Sequence, residues 1–86
     1  MHVLVIYDVP AERTHIYRKL LRQRLEHIQY SVFFGELTAG QVTELKNKIE
    51  NKLESDDSVV LFKFQNPAAL EYQTFGTDDE IGSRFT

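Results

Sequence analysis

Two periodicities alternate along the chain. Residues 2–7, HVLVIY, are β-branched, aliphatic or aromatic at nearly every position. That pattern suits a central strand covered on at least one face, and Pro10 forbids continuation of its ladder. Residues 12–24, ERTHIYRKLLRQR, change to helical spacing: Ile16, Tyr17, Leu20 and Leu21 share a broad apolar arc, while His15, Arg18, Lys19 and Arg22 point away from it. Residues 27–38, HIQYSVFFGELT, read as two short strands joined near Phe34 and Gly35, with Gly35 the natural bend or bulge. Thr38 stands where a helix cap belongs. Beyond it, residues 40–54 place Val42, Leu45, Ile49 and Leu53 at spacings of 3, 4 and 4, an amphipathic helix. SDD turns the chain, and residues 58–64, SVVLFKF, form a further strand with Val60, Phe62 and Phe64 on one face. QNPAA breaks it, LEYQTF reads as a fifth strand, and GTDDEIGSRFT is a polar tail.

The order strand, helix, strand, strand, helix, strand is that of a ferredoxin-like α+β sandwich, an antiparallel βαββαβ sheet with both helices on one face. The expectation is one such domain over residues 1–76, with an additional C-terminal strand and a loose tail over 77–86. At 86 residues the chain buries only about 60% of its unfolded surface, so association with a second copy would add stability. There is no cysteine, hence no disulfide framework and no thiolate metal site. No apolar run approaches the roughly 20 residues of a membrane span. A soluble, cytoplasmic protein without membrane contact is expected.

Charge refines this picture. The net charge of −3 argues against a generally nucleic-acid-binding surface. Yet residues 1–35 hold five basic and three acidic groups, a balance of +2, whereas residues 36–86 hold five basic and ten acidic groups, a balance of −5. The N-terminal half can therefore bind phosphate locally. Its basic helix face, Arg18, Lys19 and Arg22, is either merely solvated or, doubled in a dimer, a stripe that tracks a nucleic-acid backbone. Asp8 closes the first strand, and a carboxylate there is either a cap for the next helix or a functional group. His2, His15 and His27 lack the spacing of a zinc site. Ser31 has no His–Asp companion in the sequence, which argues against a serine nucleophile.

VIYDVP, an Arg-containing helix and IQYSVFFGEL together resemble the CRISPR-associated protein 2 family, over roughly residues 3–64. The resemblance implies small ferredoxin-like homodimers of the adaptation machinery of prokaryotic immunity. It implies that Asp8 is the metal ligand and a catalytic residue, with Tyr7, Arg13 and Phe33 as further catalytic positions and Ser31 a nucleic-acid-binding one. His15 and His27 stand where the family often carries arginine, and Arg24 replaces a common glycine. On this reading Asp8 of two chains meets on a two-fold axis and shares one Mg²⁺ or Mn²⁺, which suits oxygen-only ligands.

Two functions follow from the resemblance. One is a metal-dependent phosphodiesterase that cuts RNA or DNA. The other is a scaffold that bridges subunits of the integrase CRISPR-associated protein 1 and holds protospacer duplex. The acidic tail, with Ile81 and Phe85, would then dock on the integrase. An RNA-recognition-type sheet is disfavoured, because its aromatic signature is absent.

Overall fold

The computed structural model describes residues 1–66 together with 68, 73 and 75. Four strands make one sheet: β1 (His2–Asp8), β2 (Glu26–Gln29), β3 (Val32–Glu36) and β4 (Ser58–Phe64), in the order β2-β3-β1-β4 with every neighbour antiparallel. Two helices, α1 (Thr14–Leu21) and α2 (Ala39–Lys52), fill the connections after β1 and β3. This is the ferredoxin-like arrangement. The predicted fifth strand, the domain boundary near residue 76 and the tail lie outside the described residues.

The core lies between the helices and one sheet face. Val3, Val5 and Tyr7 of β1 and Phe33 of β3 meet Tyr17, Leu20 and Leu21 of α1 and Val42, Leu45 and Ile49 of α2 in one buried cluster. Strand alternation then places His2, Leu4, Ile6 and Asp8 on the opposite face. The ladder supplies their neighbours: Val32 and Val60 beside Ile6, Phe34 and Phe62 beside Leu4, Glu36 and Phe64 beside His2. Among the described residues no helix covers that face, and Ile6, Val60 and Phe62 remain 37%, 47% and 49% exposed. The Val60, Phe62 and Phe64 alternation is therefore real but faces away from the helices. Val59 and Leu61 pack on the core instead.

The helices differ from expectation at their ends. Residues 11–13 form a 3₁₀ turn, and the α-helix proper spans only Thr14–Leu21. Beyond Leu21 the chain closes in a turn in which the Arg24 and Leu25 N–H groups both donate to the Leu21 carbonyl, at 3.3 and 2.9 Å, and Leu25 enters the core. Helix α2 begins on a capping box: the Gln41 N–H donates to Thr38 Oγ1 at 3.2 Å, and the Thr38 N–H donates to Gln41 Oε1 at 3.0 Å. Val42, Leu45 and Ile49 are buried as the stripe predicts, but Leu53 falls past the helix end in extended backbone and is exposed.

The hairpin is corrected. Strands β2 and β3 are joined at Tyr30 and Ser31, not at Phe34 and Gly35. The ladder irregularity lies between His27 and Gln29, and the reversal uses Tyr30 at φ 45°. Gly35 sits inside β3 opposite Val3. A Cβ there would lie 2.8 Å from Leu25 Cδ2, so the glycine provides clearance for a core side chain rather than a bend.

Candidate active site

Asp8 ends β1 opposite Ser58 and is exposed. It is not a helix cap: Pro10 holds the cap position of the 3₁₀ turn and Arg13 that of α1, neither with a side-chain cap bond. Among the described residues no hydrogen bond or ion pair engages its carboxylate. Six other residues join Asp8 around a cleft of about 260 Å³: Tyr7, Val9, Thr14, Arg18, Tyr30 and Ser31. Thr14 reaches it from the first turn of α1, where its hydroxyl donates to the Ala11 carbonyl at 3.0 Å. Arg18 lies one helical turn further on. Ser31 comes from the hairpin, which is tied to β1 by the Tyr7 N–H donating to the Ser31 carbonyl at 3.1 Å.

The cleft has a rigid aromatic backing. Tyr7 stacks on Tyr17 and Phe33, with ring centroids 5.5 and 6.2 Å apart, and Phe33 stacks on His27 at 4.7 Å. Phe33 is fully buried. Its place is behind the cleft wall, holding Tyr7 and the hairpin in register.

The structure brings Tyr7, Asp8, Arg18 and Ser31 together around the cleft, with Phe33 stacked behind Tyr7, and places Arg13 and Lys19 elsewhere. Arg13 is committed elsewhere. Its Nε donates to both Asp57 oxygens at 3.1 Å, and its Nη2 donates to Asp57 Oδ2 at 2.8 Å and to the Lys52 carbonyl at 2.7 Å. Its Nη1 also pairs with Glu54 at 3.1 Å. Asp57, whose side chain is fully inaccessible, accepts the Tyr17 hydroxyl at 2.7 Å and the Glu54 N–H at 3.1 Å as well. The Arg13 hydrogen bonds outweigh desolvation and hold the Asp57 carboxyl at about 2. Burial and then Asp57 push the Tyr17 hydroxyl up. Arg13 thus pins the start of α1 to the α2–β4 loop, a structural task.

The predicted basic stripe is also divided. Arg22 follows Arg18 by four residues and extends its side of α1. Lys19 instead lines a groove of about 520 Å³ between the helices, with His15, Ile16, Lys48 and Lys52 among its walls. Three neighbours escaped sequence reasoning: Thr14 and Tyr30 in the cleft, and Asp57 beneath Arg13. Tyr30 carried a signal in its place within IQYS, whereas Asp57 looked like any acid in a polar turn.

The donor set is chemically selective. Oxygen atoms of Asp8, Ser31 and Thr14 suit Mg²⁺ or Mn²⁺, not zinc. Among the described residues no group of three His, Cys, Asp or Glu side chains converges on a metal position. Among the described residues Asp8 is the only carboxylate lining the cleft. One carboxylate fits a magnesium site completed by water, by substrate oxygens or by a second carboxylate from another chain. It does not make a closed cage. Among the described residues no helix is long and apolar enough to cross a membrane.

Comparison with known proteins agrees with this architecture. The family model described as CRISPR associated protein Cas2 matches residues 1–71. The chain is 70% identical over 86 residues, the full length of both, to the CRISPR-associated endoribonuclease Cas2 of Haloferax volcanii. It is 40% identical over 67 residues to the protein of the same name from Thermococcus kodakarensis, covering 77% of this chain and 79% of the relative. A crystal structure of a Cas2 protein superposes with a TM-score of 0.83 at 37% identity, over 91% of this chain and 88% of the other. Streptococcus pyogenes Cas2 at pH 6.5 gives a TM-score of 0.78 at 25% identity, over 88% and 100%. An apolar strand ending in a carboxylate, on a ferredoxin-like sheet of this length, accords with these matches: the chain belongs to the Cas2 family of CRISPR-associated proteins.

Proposed function

We propose that the chain is a metal-dependent endoribonuclease of CRISPR immunity that works as a homodimer, with Asp8 of both copies at the reacting phosphate. The observation that carries this reading is the position of Asp8. It has no partner among the described residues, it shares a cleft with Arg18, and it stands at the end of an apolar sheet face that no described helix covers. Two such faces packed about a two-fold axis near the strand ends bring the two carboxylates together. Arg18 then neutralises phosphate oxygens and orients the scissile group. The Tyr7–Phe33 stack keeps the cleft wall stiff, which limits the freedom of Asp8 at the strand end. Mg²⁺ or Mn²⁺ held by the paired Asp8 carboxylates would supply Lewis acidity toward the phosphate. The relatives' name, endoribonuclease, supports RNA as the substrate class.

A second reading has its own support. The helix-layer groove with Lys19, Lys48 and Lys52 is separate from Asp8. A dimer carrying two such grooves suits a scaffold that holds duplex and the CRISPR-associated protein 1 integrase during spacer acquisition. Asp8→Asn separates the two. The nuclease reading expects RNA hydrolysis to fall to background with Mg²⁺ present, while the fold, in which the carboxylate makes no described bond, is unchanged. Hydrolysis that persists in Asp8→Asn, or in chelator, removes the catalytic reading. Spacer acquisition that survives the substitution then stands as the scaffold role.

A further inference from the structure

Tyr30 is the most exposed of the large apolar or aromatic side chains among the described residues, at 80%. It is also the only non-glycine residue among them with positive φ, at 45°. An L side chain resists that conformation, which glycine and asparagine accept readily. A β-turn that needs only a reversal would therefore favour Asn or Gly at this place. The turn is held as it stands: His27 Nε2 donates to the Tyr30 carbonyl, and the His27 ring is itself stacked on buried Phe33. The result is an aromatic ring in water, on a braced turn, at the wall of the cleft that contains Asp8 and Arg18. No described ring stacks on it.

We infer that Tyr30 is a stacking platform that makes the Asp8 cleft a site for an unpaired nucleotide, with the base on the tyrosine ring and its phosphate toward Arg18. This deepens the nuclease reading and rests on it for the identity of the substrate. Three features support it. An aromatic face stacks on any base without sequence choice, and such stacking contributes substantially to single-strand binding. The cleft of about 260 Å³ sets the ring on one wall with the Asp8 carboxylate and the Arg18 guanidinium, so a base and its phosphate have adjacent partners. A base within a duplex already has both faces stacked and cannot present one to Tyr30.

The test uses the full chain and a short single-stranded RNA carrying one 2-aminopurine, whose fluorescence is quenched by stacking. All titrations are made in chelator, so binding is read without hydrolysis, and failure of the nuclease reading leaves the measurement intact. Tyr30→Asn removes the ring but keeps a residue suited to positive φ. It is expected to bind the RNA roughly 5- to 150-fold more weakly and to lose the quench, with a thermal midpoint no lower than that of the parent. Tyr30→Phe keeps the ring and is expected to bind like the parent. The same RNA annealed to its complement is expected to bind parent and Tyr30→Asn alike. Parent-like affinity in Tyr30→Asn overturns the inference. So does failure of Tyr30→Phe to rescue, or an equal loss for the duplex.

Discussion

Replacing Phe62 by serine tests the dimer on which the proposed active site depends. Phe62 lies opposite Leu4 on the uncovered sheet face and is 49% exposed in the single chain. A Phe side chain buries about 150–250 Å² in all. Half of that leaves roughly 100 Å² for a partner to cover, or about 200 Å² across two symmetric copies. At about 25 cal/mol per Å² this corresponds to about 5 kcal/mol per dimer as an upper figure, or a dissociation constant more than a thousandfold weaker. Ordering costs reduce the realised value, so a loss of at least about a hundredfold is expected. Sedimentation from nanomolar to micromolar concentration reads it directly, with the parent as two chains and Phe62→Ser as one. The matched control is Leu53→Ser. Leu53 is 48% exposed but lies beyond α2, away from the sheet face, so its loss should leave the mass unchanged. A Phe62→Ser protein that sediments like the parent would refute the face-to-face dimer, and with it the shared Asp8 site.

The Arg13–Asp57 pin gives a pH prediction. The folded Asp57 carboxyl is held at about 2, below the ordinary value of about 3.9 in an unfolded chain. Its contribution is therefore complete above about pH 4 and is lost as pH falls toward about 2. Asp57→Asn should be less stable than the parent at neutral pH, and the gap should narrow across that acid window in urea titrations. A gap independent of pH would mean that the carboxylate charge contributes nothing. A packing prediction concerns Gly35→Ala: the added methyl meets Leu25 Cδ2 at 2.8 Å, and overpacking of this kind costs about 1–3 kcal/mol. Leu25→Ala in the same chain should recover part of the loss, and additive effects in a double-mutant cycle would exclude the clash.

The backbone plan was legible because it depends on local periodicity. The alternation in SVVLFKF, the 3, 4, 4 spacing from Val42 to Leu53 and the Thr38 cap each concern neighbours within one or two turns, where propensity and solvent act directly. Errors arose where a distant residue intervened. Gly35 looked like a bend because glycine often is one, yet its use is to clear Leu25, ten residues away in sequence. Periodicity predicts a first helix to residue 24, whereas the α-helix ends at Leu21 and the turn beyond it places Leu25 in the core. The IQYSVFF stretch identified the hairpin region, but the φ of Tyr30 placed the turn.

Local patterning sufficed for the kinds and order of the elements, for the family resemblance and for a carboxylate at the end of a stiff strand. Which side chains share a site came from packing alone. Arg13 and Arg18 are near neighbours in sequence and equally basic. One pairs with the inaccessible Asp57, 44 positions away, and the other lines the cleft of Asp8. Lys19, next to Arg18, faces another groove altogether. The reason is geometric. A helix turns successive residues by about 100°, so adjacent cations point to different partners. The identity of those partners is set by how the sheet and helices pack, and no local pattern encodes it.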